Sequence, residues 1–470
     1  MRRLARILAT LPALLASSPA AAFETSFHTY GGFQETIDAF RAVSLIFADS
    51  RYETLVVIMA TVGIGLGALL ASARGSGIGL IAFGLQILVG IGLFVGMIAT
   101  TGTVHVYDRV KNAHEAVGDV PVLLILVAGT TNMIERAMVE TIDDNSVDPN
   151  AKYAFNGGGH AFDLFLNAVA SQRMLTDTHL DATLRDYVRH CYPVARVSAA
   201  YAIGDETLFR TATDLPSAFA AMAGPSTFST VYSAGDKGGT TMSCEEAWSH
   251  ISTRLSDPEL FEVQIKRACR ATGYRFASAP QKARCDEQLG ALGNLLFQRP
   301  ITVQSLFTHV LLSRTVGDVL LEDSPAAAAR VMANRAILTN GVSAMSVAND
   351  WIPKVRATVF AVMLFMVPVA LLFILTPINL RVASFTFGLF VFVALWGVID
   401  AGVHQLALGS ASAALQEFGT QAFGVETWLA APDAATKALA VFGSLRTAGA
   451  GIAGAFVFTV FRFSGNVFGA

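Results

Sequence analysis

From Thr54 to Ala73 the chain reads TLVVIMATVGIGLGALLASA, without one charged side chain. A helix of that length satisfies its own backbone hydrogen bonds across a hydrocarbon slab about 30 Å thick. Ile78–Thr101, Ala357–Pro377 and Val382–Val403 repeat the composition, and a fifth block, Ala438–Phe461, does so around Arg446. Because the 53% hydrophobic residues gather in such blocks, the expectation is an all-α integral membrane protein with about five transmembrane helices. A formal net charge of -3 and the lack of a basic stripe give no sign of nucleic-acid binding.

The first residues set the orientation. Arg2, Arg3 and Arg6 precede a short apolar run, Ile7–Ala16, and Ala20-Ala21-Ala22 offers a small-residue cleavage site before Phe23. The expectation is a signal peptide over 1–22, cut between Ala22 and Phe23, with an uncleaved anchor as the alternative. RRLAR lacks the rest of a twin-arginine pattern. With Phe23 exported, the span count puts Arg74, Arg381 and Arg462 on the cytoplasmic side, and Gln405–Thr436 carries no Lys or Arg. Trp351 and Trp428 fall near the outer ends of spans. The expected organisation is a periplasmic amphipathic helix over 23–53, a membrane hairpin over 54–101, a periplasmic helical domain over 102–355 and a membrane region of about three spans over 356–470.

GDVPVLLILVAGTTNMIER, Gly118 to Arg136, tests this map. Pro121 to Ile134 gives only about 14 residues, diluted by Gly129, Thr130, Thr131 and Asn132, which is too short to cross. Crossing would also move Cys191, Cys244, Cys269 and Cys285 to the other side. Four cysteines confined to one exported region read as disulfides in an oxidising compartment. The stretch is therefore expected as a buried or interface-lying helix, with a re-entrant segment as the alternative.

Within the exported region Leu180, Leu184, Val188 and Cys191 mark one helix face, with Thr176 and Asp177 as caps. SCEEAWSHISTRL and FEVQIKRACR repeat the period, whereas GPSTFSTVYSAGDKGGTT reads as a surface loop with little order. Its position favours Cys191 pairing with Cys244 and Cys269 with Cys285, although three connectivities are open. Before the first span, Phe33, Ile37, Phe40, Val43 and Ile46 form an apolar helical face for the membrane or the exported domain.

A family resemblance rests on an ordered series of segments. TYGGFQETIDAFRAV precedes two spans; VHVYDRV and VGDVPV follow them; then come YAFNGGGHAFDLF, RHCYP, TMSCEEAW and NDWIPKVRATVFAVMLFMVP. Together they resemble the TraG N-terminal family of conjugative transfer proteins, from about Thr29 to Phe463. The resemblance implies an inner-membrane protein with a periplasmic domain in the mating-pair apparatus of a type IV secretion system. Its implied partners are other membrane and periplasmic subunits of that system, membrane lipid and a second copy of itself. Relatives that continue into a long soluble region take part in mating-pair stabilisation and exclusion, whereas this sequence resembles the short form on integrating conjugative elements.

Enzyme chemistry finds no motif. NGGGH, Asn156 to His160, matches neither a Walker loop nor a nucleophile elbow and reads as a turn before a helix. Glu245 and Glu246 read as a solvated face, and the histidines show no paired spacing. No catalytic residue, cofactor or metal is expected. Three polar groups lie within spans: Asp400 and His404 one turn apart, and Arg446 about 8 residues into the fifth. A lone buried charge in lipid is costly, so Arg446 is expected to reach toward Asp400. The rival is a transporter or channel that uses Asp400, His404 and Arg446 as a proton or ion relay. Gly63, Gly67, Gly92, Gly96 and the patch Gly449–Gly454 allow close helix packing, expected within the chain before between copies.

Overall fold

The computed structural model describes residues 23–73, 98–146, 149–157, 159–171, 177–198, 214–276, 278–297, 300–323, 352–373, 379–416 and 424–467, with single positions at 84, 87–88, 90–92, 208 and 211–212. The signal segment up to Ala22, most of Ile78–Thr101, Arg74, Thr176, Gly158 and Trp351 lie outside the described residues. The chain divides into two units. The first comprises Met1–Ile142, Trp351–Asp400 and Thr447–Ala470; the second comprises Asp143–Asp350 and Ala401–Arg446.

The first unit contains a sheet, which corrects the all-α expectation. β1 (Phe23–Thr29) pairs in parallel with β2 (Thr101–Asp108), and β2 pairs antiparallel with β3 (Ala113–Pro121). Val104 and Val106 are buried and alternate with His105 and Tyr107, the period-2 signature of a strand with one covered face. The covered face meets α1 (Phe33–Ala48), the helix expected before the first span. Ile37, Phe40 and Val43 are each 0% exposed, so its apolar face docks on protein. Phe40 and Phe27 both contact Phe360. Gly31 and Gly32 have φ of 144° and 70°, and a Cβ at either would collide with Pro353 or Ala357.

Apolar helices complete this unit: α2 (Ser50–Ala73), α3 (Val122–Asp144), α4 (Ile352–Leu372) and the first part of α5 (Asn379–Gln416). Among the described residues four helices are long and apolar enough to cross a membrane, within Ser50–Leu69, Val122–Asp144, Ile352–Leu372 and Val382–Gly409. Three coincide with expected spans. The length argument for the stretch after Pro121 fails, because the helix continues through Glu135 and Arg136 for 23 residues. The ion pair of Arg136 Nε with Glu140 Oε1, 2.7 Å on the next turn, supports that continuation. The fifth block lies within α6 (Val425–Val467), a helix that is not one of these four. There Gly449 lies against Ile399 and Gly454 against Phe392, so these small residues serve packing inside the chain.

The second unit is helical around its own core. α7 (His160–Ser171), α8 (Thr178–Val197), α9 (Leu215–Ala221), α10 (Cys244–Leu255), α11 (Glu262–Ala271), α12 (Ala279–Phe297) and α13 (Val303–Asp323) bury Tyr187, Phe219, Phe261, Phe307, Leu311 and Leu312. Local chemistry fixes the ends: Asp177 accepts from Leu180 N as expected, and Ser243 with Glu246 forms a capping box that the sequence reading did not include. Gly157 and Gly159, both at positive φ, turn the chain into α7. The expected loop after Gly224 instead holds a hairpin, β4 (Phe228–Val231) with β5 (Thr240–Ser243). Asp186 on α8 anchors it by accepting from Thr230 N at 2.7 Å and Ser229 Oγ at 3.2 Å. Trp428 also departs from expectation. It is 3% exposed, with ring centroids 4.2 Å from Phe297 and 4.7 Å from His309, and so fills core.

Candidate functional site

Two buried polar constellations and a pair of disulfides are the features with chemical content. The first constellation lies in the first unit. Val122–Asp144 carries Asn132, Glu135 and Arg136 within one turn, and Ile352–Leu372 carries Arg356 near its start. The Arg356 guanidinium donates to the Glu135 carboxylate, with side chains 15% and 4% exposed. Gly397 makes this possible: a Cβ there would collide with both partners. Asp400, 2% exposed, lies close enough to Glu135 for their charges to interact.

One turn earlier, Asn132 clips a strand. Its Oδ1 accepts from His28 N at 2.7 Å and its Nδ2 donates to His28 O at 2.8 Å, the pairing another strand would give. Arg136 Nη1 donates to His28 Nε2 at 3.0 Å, and Tyr107 stacks on the same ring. Burial, and then the Arg136 charge, lower the His28 pKa to about 4, so the imidazole stays neutral at ordinary pH. Burial, followed by the Glu135 charge, pushes the Tyr30 phenol above its usual range.

The second constellation lies in the second unit and takes up His404. His404 Nε2 meets the Ala151 carbonyl at 3.0 Å, so that nitrogen carries the proton. Gln405 Nε2 donates to the same oxygen at 3.2 Å, while its Oε1 accepts from Ser146 Oγ at 3.2 Å. The Tyr153 ring packs edge-on against the imidazole at 5.6 Å. Asp143 accepts from the backbone N of Tyr153 at 2.6 Å and of Ala154 at 2.9 Å. Together these bonds tie the helix bearing His404 to the turn at Pro149–Ala151.

Sequence alone points to Asp400, His404 and Arg446, and each is buried, at 2%, 1% and 1% exposure. Asp400 belongs to the first unit and the other two to the second. Glu135, Arg356 and Asn132 were missed. The signal was present in NMIER: an amide and an acid inside an apolar run need partners, as does the arginine in IPKVRATVF. Both disulfides form as favoured: Cys191 with Cys244 and Cys269 with Cys285, each with a Cα–Cα distance of 6.1 Å. Cys191, Cys244, Cys269 and Cys285 are each 0% exposed. Among the described residues no three His, Cys, Asp or Glu side chains converge as a metal would need.

Apolar helices of membrane-crossing length, joined to a helical unit bearing two disulfides, are compatible with a membrane protein. The family model for the TraG-like protein, N-terminal region, matches residues 26–469, nearly the whole chain. The chain belongs to this family, which links it to conjugation. No curated protein and no solved structure matches it.

Proposed function

We propose that this chain is a non-enzymatic, structural component of a conjugative type IV secretion system, held in the bacterial inner membrane and supporting mating-pair formation and DNA transfer. Its apolar helices anchor it, and the disulfide-bonded helices of the second unit, inside the expected exported region 102–355, dock other subunits in the periplasm. The family match over 26–469 carries this reading. Two buried disulfides in one helical unit support the exported side, since such bonds persist in oxidising compartments.

The rival is a channel or transporter gated by Asp400, His404 and Arg446. A relay needs an imidazole that can exchange its proton along a path. The His404 Nε2 position is instead committed to the Ala151 carbonyl, which favours a structural role. The test is complementation of a deletion in a conjugating donor, with transfer frequency and protein level measured together. The deletion should abolish transfer, whereas Asp400→Asn and His404→Gln should restore it wherever their protein levels match wild type. Loss of transfer at normal protein level in either variant would favour the channel. Cross-linking and pull-down from the complemented donor should recover other secretion subunits, and recovery of none would remove the scaffold.

A further inference from the structure

Four chain positions converge at one end of the first unit. Tyr52, at the start of α2, donates its hydroxyl to Pro368 O at 2.9 Å, near the end of α4. Val122 N, starting α3, donates to Thr100 O at 3.0 Å. Thr101 pairs with Pro121 and Phe23 with Gly102, so the sheet begins there too. An apolar pocket at this end is lined by Phe47, Leu124, Leu371, Val382 and Phe387 among others. Thr386 in its wall gives its hydroxyl to Val382 O at 2.9 Å. At the opposite end Gly31 and Gly32 meet Pro353 and Ala357, and Glu135 meets Arg356 beside Gly397. Phe360, Phe27 and Phe390 lie between.

Arg356 and Pro368 are about 18 Å apart along a helix rising 1.5 Å per residue. Over that length α3, α4 and the start of α5 run beside the sheet and α1, and α2 begins only where they end. A hydrocarbon slab enclosing these helices would enclose the sheet as well. The sheet and α1 carry Glu24, His105, His114 and the Arg41–Glu115 ion pair, with Arg41 50% and Glu115 35% exposed. Lipid does not tolerate exposed charge and open strand edges at depth.

We propose that the first unit meets the bilayer end-on, resting on the lipid surface at the level of Tyr52, Pro121, Pro368 and Val382. α2 crosses, and Thr100 lies back at this surface against the start of α3. Val122–Asp144, most of Ile352–Leu372 and most of Asn379–Asp400 stand outside the slab, and the pocket at the contact end takes an acyl chain of a membrane lipid. Exposed side chains follow the same gradient. Along the open face of α4, Lys354 and Thr358 give way to Val362, Phe365, Met366 and Val369. On α5, Ala383, Ser384, Phe385 and Phe387 are exposed, and no residue from 388 to 405 is.

The inference rests on the membrane reading above, and one experiment separates their failures. Single cysteines replace Ser50, Val62, Thr130, Lys354 and Ser384 in the full chain, whose native cysteines are disulfide-bonded. Each is labelled with a membrane-impermeant maleimide in spheroplasts, after permeabilisation, and in detergent. End-on contact expects Ser50→Cys, Thr130→Cys, Lys354→Cys and Ser384→Cys to label from one common side, with Val62→Cys silent until detergent is added. Crossing helices would put Ser384 on the side opposite Ser50, or leave it as silent as Val62, and either result overturns the proposal. Labelling of Val62→Cys without detergent would instead refute the membrane anchor itself.

Discussion

Arg356 donates to Glu135 across 221 residues of sequence, inside a unit where both side chains are largely hidden from solvent. Breaking such a pair strands a buried charge, which costs about 3–5 kcal/mol, whereas removing both charges costs far less. Glu135→Gln and Arg356→Met should each lower the melting temperature of the detergent-purified protein sharply. The double variant should recover most of the loss. Strictly additive losses would mean the two groups do not act as a pair.

Asn132 presents a second case of partners distant in sequence. Asn132→Ala removes an acceptor and a donor from the backbone of His28 and leaves two buried groups at about 1–3 kcal/mol each. Amide exchange at the edge of β1 should accelerate by at least tenfold while exchange in α8 stays unchanged. Unaltered protection of the His28 amide would show that the amide clip is dispensable.

The buried imidazole of His28 makes stability depend on pH. The folded chain holds this site neutral down to a pKa of about 4, whereas the unfolded chain accepts a proton below its ordinary value near 6.5. Its contribution is therefore complete above pH about 6.5 and is lost as the pH falls toward 4. Melting temperature should decline through that window, and His28→Gln should flatten the decline. An equal slope in the variant would assign the effect to other groups.

The two disulfides close loops of different length, 53 and 16 residues of separation, so their loss is unequal. Restriction of the unfolded chain gives about 4 kcal/mol for the Cys191–Cys244 bond and about 3 kcal/mol for Cys269–Cys285. Paired Cys→Ala variants, compared by urea denaturation under non-reducing conditions, should lose stability in that order. A reversed order would mean that local packing around Cys269 and Cys285 outweighs loop length.

These cases show what the sequence could disclose. Helices with a local cause were legible: Leu180, Leu184, Val188 and Cys191 share a face, and Asp177 caps their helix. Apolar blocks near Thr54, Ala357 and Val382 were legible because length and composition suffice. The three-stranded sheet was not, since β1 joins β2 across about 70 residues and its partners lie either side of long apolar blocks of sequence. The reach of α3 past Ile134 was hidden for a related reason. Glu135 reads as the end of an apolar run until Arg356, far along the chain, supplies its counter-charge. Both misses involve contacts whose cause is absent from the local window.

The second unit draws its core from two separated lengths of chain. Leu408, Val425, Trp428 and Leu439 pack with residues from Ala151 to Val319, yet they are synthesised after the apolar helix Ile352–Leu372. During biogenesis the disulfide-bearing helices must therefore wait, partly uncovered, for the last fifth of the polypeptide. Proteases and chaperones would meet this protein in that interval, and a ribosome that stops early would release a chain whose interior cannot close.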